Sequence, residues 1–459
     1  MSFKTANVPT IYSVTIYSGS RILGSFDFST TKRRALALQP EQPWQKFFRL
    51  RRLFSCVSTD SPPRSVPRLK QGIADIAMLA LLHSVQHIYL FALPPIYLLL
   101  RAEFGISTFQ IGLIGSVTGL ISILQGPAGY LVDRFGGKRL AVLSMLLCTL
   151  SVFLYSLTPS FEFLLLVVGA FALSEVPFHP STYAMVVQRA SDGNRGKYVS
   201  YHQVGGFFGS AVGTAAIAYL ASAYGWRTTL QIVPVVGLSI ILAFWKLVQE
   251  RAPQKPATQG SSPADGDKFK VTKPLMILVS GIGVFSLGNL LNYIPLFLSE
   301  AYGSSVAWAG IFSSIMHAVG SASSLVGGVL SDKFDKATIM AVSMIGSGLF
   351  TILLAVGQFP SIILLIVLIL YGVARYFHVP AQHTLSSVVA SGHPQGIGFS
   401  YTGTAIGQIF SAPLIGYLID VLGARSAFLA CSFIPFVAGG IALTLRNVKT
   451  PAKVSQARA

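Results

Sequence analysis

Charge is what this chain has little of. Asp, Glu, Lys and Arg make up 11% of its 459 residues, where a soluble domain carries about 25%. With 52% hydrophobic residues and a mean hydropathy of +0.62, the composition excludes an ordinary soluble domain. Acid is scarcer still: 16 Asp and Glu stand against 34 Lys and Arg, a net charge of +18. The basic residues lie mainly in the tails and in alternate loops, so the excess serves membrane topology and implies no nucleic-acid partner. Cys56, Cys148 and Cys431 are too far apart for a disulfide framework or a metal pattern. No G-x-x-x-x-G-K-[ST] run is present, so ATP does not act directly. Without H-E-x-x-H or a Ser/His/Asp grouping, an intramembrane enzyme is not expected, nor any cofactor or resident metal.

What the chain does have is apolar length. A helix needs about 20 apolar residues to cross a bilayer, and suitable segments fall near 72–101, 107–132, 138–157, 162–189, 197–223, 227–248, 274–301, 306–331, 337–357, 360–390, 396–421 and 425–446. The expectation is an all-α membrane protein of twelve transmembrane helices in two pseudo-symmetric six-helix bundles, 72–248 and 274–446. A polar linker, 249–273, joins the bundles, and a short tail, 447–459, follows them. Residues 1–71 hold twelve Lys and Arg against Asp27, Glu41 and Asp60 and have no apolar core of a secretory signal. They read as a mostly disordered tail in which residues 44–54 can lie on an anionic membrane surface. A transit peptide and an over-extended start of the reading frame are the other two readings. Only Arg101, Arg227 and Arg425 fall beside the loops assigned outside, which puts both termini in the cytoplasm.

Between the second and third spans the chain reads Gly129-Tyr-Leu-Val-Asp133-Arg134-Phe-Gly136-Gly137-Lys138-Arg139. Charges and glycines so concentrated between apolar runs describe a hairpin at a membrane surface, with Asp133 paired with Arg134 or facing a neighbouring helix N-terminus. A weaker copy, Gly328-Val-Leu-Ser-Asp332-Lys333-Phe-Asp335-Lys336, follows 199 residues later. This loop resembles the signature of the major facilitator superfamily. Other positions repeat too: Pro95 with Pro295, Gly205 and Gly209 with Gly403 and Gly407, and Gly225-Trp-Arg227 with Gly423-Ala-Arg425. Such a repeat suits a transporter whose site lies between the halves near the midplane. Gly205, Gly209 and Gly213 recur every four residues, as do Gly403 and Gly407. Small residues at that spacing permit close helix packing, and either static packing or the faces that part during transport would use it.

Ionisable residues inside spans are costly and read as functional. Glu175 and His179 share one face of the fourth span, where Pro177 and Pro180 disturb the helix. Arg375, His378 and His383 occupy the matching region of the tenth, so Glu175 and Arg375 are expected to present opposite charges across one cavity. His83, Gln86 and His87 of the first span, His202 and Gln203 of the fifth, and Asn292 and Tyr293 of the seventh complete the candidate substrate and proton cavity. Histidine titrates near neutral pH, so a Glu175–His179 pair is a candidate proton carrier. The alternative is that the histidines satisfy backbone carbonyls and hold helices together. A metal set drawn from His83, His87, His179 and His202 has weak support, since no matching carboxylates accompany it.

Phe178-His179-Pro180, Gln203-Val-Gly205-Gly206-Phe-Phe-Gly209-Ser210 and His83-x-x-x-His87 resemble the fosmidomycin-resistance branch of that superfamily over roughly residues 72–446. The resemblance implies proton-coupled drug efflux from the inner membrane of a bacterium, with His83, His179 and Gln203 at polar motif positions. The chain departs from the branch at His87, where an acid is usual, and at Ser181 and Ala184, where an acid and an arginine are usual. The expected partners are a small solute and the bilayer, for a monomeric protein. An importer of a polar or anionic metabolite, with Arg375 as anion partner, and a non-transporting scaffold are the alternatives.

Overall fold

Backbone polar groups inside a bilayer must be satisfied within their own segment, so apolar runs of this length fold as helices. The computed structural model of the chain describes residues 12–18, 21–28, 68–190, 195–251, 283, 289–389 and 394–446. Ten of its helical stretches are long and apolar enough to cross a membrane, from Gly72–Phe104 to Ala424–Leu443. The second span is interrupted, Thr108–Ser122 followed by Gln125–Phe135, and the seventh is described from Asn289 onward. These correspond to the twelve helices of the expected fold; the start of the seventh, expected at 274, lies outside the described residues.

The chain forms two units, Met1–Ser65 and Val66–Ala459. Within the first, Tyr12–Ser18 and Arg21–Phe28 form an antiparallel pair in which Tyr12 faces Phe28; the rest of the expected tail up to residue 67 lies outside the described residues. Val14, Thr15 and Ile16 are β-branched, and the apolar positions alternate, which is the strand signal in this stretch. Residues 44–54, most of the linker from 252 onward, and 447–459 lie outside the described residues.

The two halves of the second unit repeat in detail. Gly105 and Gly303 end their helices at φ +62° and +66°, and Gly225 and Gly423 open theirs at +81° and +79°, a region where a Cβ is penalised. Ser107 and Ser305, each two residues after the first glycine pair, cap the next span with a side-chain oxygen. Arg227 and Arg425 each donate to backbone carbonyls at the ends of neighbouring helices, Ser156 and Thr158 in one half, Gly357 and Ala301 in the other.

Glycine marks two kinds of contact. A Cβ on Gly205 or Gly209 would stand 2.1 Å from the carbonyl oxygen of Ala80 or Ser84 in the first span. Gly213 likewise meets Ile88. That stripe packs the fifth span on the first, inside one bundle. The contacts between bundles use other glycines. A Cβ would stand 2.4 Å from Pro413 Cα at Gly112, 2.1 Å from Thr108 O at Gly416, and 2.0 Å from Ala218 Cβ at Gly310. Gly403 is buried and Gly407 half-buried in the eleventh span.

At the signature loop the chain turns on Gly136, φ +87°, and the third span begins at Gly137. Glu250, expected in the linker, instead accepts hydrogen bonds from the backbone N–H groups of Lys138 and Arg139, at 3.1 and 3.3 Å. A carboxylate there complements the positive end of the helix. Arg134 is exposed against the ring of Phe135, and Lys138 lies 4.5 Å from the ring centre of Trp245. Lys333 is exposed. The side chains of Asp133 and Asp332 lie outside the described residues, as does the surrounding of Gly129.

Candidate functional site

The fourth span is two helices, Phe161–Glu175 and Phe178–Arg189. Pro177 at the junction has no N–H to give, and the helix restarts with Ser181 N–H donating to Pro177 O at 3.1 Å. Glu175 is the last residue before the break, and its carboxylate accepts a hydrogen bond from the Gln86 amide of the first span. The tenth span is divided at His378 into Ser361–Phe377 and Val379–Val389. Arg375 stands on the last turn before that break.

These two breaks border one cavity of about 430 Å³ between the bundles. Glu175, His179 and His87 line it from the first bundle and Arg375 and Asn292 from the second. Glu175 and Arg375 therefore line one cavity from opposite bundles. Tyr376, Gln408, Thr118, Phe91 and Phe207 also line the cavity. Gln408 Nε2 donates to Thr118 Oγ1 across the bundle boundary at 3.2 Å. Phe91 meets the ring of His317 at 5.0 Å, edge to face, and the Tyr376 hydroxyl shares a hydrogen bond of 2.7 Å with His317 Nδ1. The Nε of Arg375 is buried without a hydrogen-bond partner, and its guanidinium carbon lies 5.5 Å from the ring centre of Tyr376.

Behind the cavity wall of the first bundle sits a cluster of imidazoles. His83 is at its centre, with ring centroids 4.2 Å from His202, 4.7 Å from His87 and 5.4 Å from His179. His83 Nδ1 lies 2.8 Å from the carbonyl oxygen of His202, and His87 Nδ1 lies 2.7 Å from Ser210 Oγ. Among the described residues no group of three or more His, Cys, Asp or Glu is disposed to hold a metal ion.

Other candidates stand apart from the cavity. His378 is buried against the ninth span, 3.2 Å from Ser343 Oγ. His383 is exposed and Gln203 half-buried, and neither lines the cavity. Tyr293 is 1% exposed and donates to Ala412 O at 2.8 Å, a packing role. His317, Tyr376, Gln408 and Thr118 were not singled out from sequence. A polar residue in every third or fourth position of the eighth span and the position of Tyr376 beside Arg375 were the available signals.

Further polar contacts join the bundles on the far side of the cavity from the signature loop. Arg101 and Glu300 form an ion pair, and the Asp420 carboxylate accepts from the backbone N–H groups of Thr108 and Phe109 at 2.9 and 2.7 Å. Ser116 Oγ donates to Ile409 O at 2.6 Å and Ser314 Oγ to Ala211 O at 2.5 Å.

Comparison with known proteins agrees with this architecture. The model of the Major Facilitator Superfamily matches residues 79–396. A fosmidomycin resistance protein of Escherichia coli (strain K12) is 23% identical over 382 residues, 81% of this chain and 93% of that protein. A cis,cis-muconate transport protein of Acinetobacter baylyi is 24% identical over 369 residues, 73% of this chain and 86% of that one. A probable galactarate/D-glucarate transporter of Escherichia coli (strain K12) is 26% identical over 270 residues, 51% and 61% of the two chains. Among solved structures, a bacterial homologue of the human lysosomal transporter Spinster, inward-facing and unoccupied, has a TM-score of 0.70 at 18% identity, covering 84% of this chain and 98% of that one. The nucleoside transporter NupG has a TM-score of 0.68 at 15% identity, covering 81% and 99%.

Proposed function

This chain belongs to the Major Facilitator Superfamily, and on that premise we propose that it exports a small organic solute by alternating access, in exchange for protons. Membership implies a secondary transporter in a multi-pass membrane protein; solute, direction and coupling are the proposal. One observation carries it: Glu175 and Arg375, one from each bundle, line the same cavity. Ionisable groups are costly in a membrane interior, and a scaffold of the same fold has no use for two of them facing one space. Glu175 is the proton carrier in this reading, beside His179. The fosmidomycin-resistance relative supports the export direction.

With the signature loop inside, the protein sits as a monomer in a bacterial inner membrane with both ends of the chain cytoplasmic. The contacts of Arg101, Asp420 and Ser314 then close the outer side. Rocking one bundle against the other would exchange that closure for one at the loops.

A second reading, import of an anionic metabolite, is favoured by the unpartnered Nε of Arg375. Relatives named for galactarate, D-glucarate and muconate support it. Counterflow in proteoliposomes tests both. Glu175→Gln should stop pH-driven transport and preserve exchange at equal pH; loss of both, or of neither, moves coupling away from Glu175. Drug sensitivity of cells lacking the protein supports export, and lost growth on an organic acid supports import.

A further inference from the structure

The last four carbonyls of a helix have no partner within it, and in a membrane interior there is no bulk water to serve them. Ser174 and Ala374 both belong to such a set, since their helices end at Glu175 and Phe377. Each carbonyl accepts from a buried serine of a neighbouring span. Ser144 Oγ of the third span donates to Ser174 O at 2.5 Å, and Ser343 Oγ of the ninth donates to Ala374 O. Ser144 is 1% exposed and Ser343 3%. The two serines stand 199 residues apart and the two carbonyls 200, so the arrangement repeats between the halves. The surroundings do not repeat. The single hydrogen of the Ser343 hydroxyl goes to Ala374 O, so His378 Nδ1, 3.2 Å away, donates to that hydroxyl. In the first bundle Phe178 holds the position of His378, and the Sγ of Cys148 lies 3.1 Å from Ser174 Oγ.

The residue after Ser174 is Glu175, and the residue after Ala374 is Arg375. A peptide group is planar, and its plane contains the carbonyl oxygen of one residue and the Cα of the next. Holding Ser174 O therefore holds the Cα of Glu175, and holding Ala374 O holds that of Arg375. We propose that Ser144 and Ser343 are positioning residues, each fixing the peptide plane from which one ionisable side chain enters the cavity. Neither serine is among the residues that line it, so both act through the residue they hold. The breaks at Pro177 and His378 create the need: a helix end lacks the next turn that would otherwise fix its last peptide groups. The two side chains depend on their anchors unequally. Glu175 is also tied by the Gln86 amide, whereas Arg375 has an Nε with no hydrogen-bond partner. Loss of the serine should therefore displace Arg375 more than Glu175.

The serines' part in transport rests on the transporter reading, yet the setting of the two side chains can be read without any solute. Full-length protein in lipid nanodiscs, with 13C-carboxyl-labelled glutamate and 15N-labelled arginine, would be measured by NMR, with Glu175→Gln and Arg375→Lys to assign the two signals. Ser144→Ala should shift the Glu175 signal and leave that of Arg375 in place. Ser343→Ala should do the reverse, with the larger shift. Ser144→Thr and Ser343→Thr keep a hydroxyl and should keep the wild-type signals. Where alanine prevents folding, cysteine, a weak donor of similar shape, takes its place. A hydroxyl that merely satisfies a carbonyl would lower thermal stability and leave both signals unmoved, and that result would overturn the proposal. So would equal movement of both signals in one variant, or a threonine that fails to restore them. Counterflow with Glu175→Gln keeps the two readings apart. Signals that respond as expected beside unchanged pH-driven transport leave the serines their role and remove Glu175 from coupling; unmoved signals beside lost pH-driven transport do the opposite.

Discussion

Arg189 keeps a full charge where its side chain has no exposure at all, and it does so by filling its donors. Nε donates to Asp75 Oδ2 at 2.8 Å, Nη1 to Met185 O at 3.1 Å and Nη2 to Gln249 O at 2.6 Å, tying together the ends of the first, fourth and sixth spans. Asp75 is itself 5% exposed, with Arg251 as a second, longer partner at 3.9 Å. Removing one member of such a pair strands the other, at a cost of about 3–5 kcal/mol. Asp75→Asn should therefore lower the thermal unfolding temperature of the purified protein clearly. Asp75→Asn combined with Arg189→Gln should lower it by less than the two single losses added. Additive losses would mean that the two groups do not depend on each other. None of this was legible in sequence, because Asp75 sits four residues into a span near basic tail residues and looks like an ordinary boundary charge. Glu175 and Arg375 were legible for the opposite reason: each stands deep in an apolar run with no boundary to explain it.

At the level of single helices, apolar length located the spans, and Pro177 with Pro180 located the break in the fourth. Which neighbour each glycine meets was not legible, since a stripe every four residues looks the same whether it faces its own bundle or the other one. The structure separates the two cases and makes them testable. At Gly209 a Cβ would meet Ser84 O at 2.1 Å inside one bundle, and at Gly416 it would meet Thr108 O at 2.1 Å across the boundary. Overpacking of this kind costs about 1–3 kcal/mol. At Gly209→Ala that cost falls on every conformation that keeps the first and fifth spans together, so thermal stability should drop. At Gly416→Ala it falls only on the conformation in which the second and eleventh spans touch. That variant should unfold near the wild-type temperature while its far-side ends separate, read as a longer spin-label distance between those spans. Equal loss of stability in both variants would refute the distinction.

Across the whole molecule, the two bundles are held by contacts that differ in strength, and the difference ranks their importance to the closed state. Asp420 places a carboxylate on two free N–H groups at the start of the second span, 2.9 and 2.7 Å away. There the charge also meets the positive end of the helix, worth about 0.3–1 kcal/mol and up to about 2 in favourable geometry. The Arg101–Glu300 pair is about a quarter exposed on each side, at 26% and 28%. An exposed pair is typically worth about 0.2–1 kcal/mol and is screened by salt. Each about 1.4 kcal/mol changes a population tenfold, so Asp420→Asn should shift the protein toward separation of the far-side ends by up to about thirtyfold, and Arg101→Ala by several-fold at most. High salt should erase the effect of Arg101→Ala and leave most of that of Asp420→Asn. Distances between labels on the two bundles, measured for both variants at low and high salt, give the ranking. Should Arg101→Ala open the far side more than Asp420→Asn does, the ion pair and not the helix-end contact is the stronger tie between the halves.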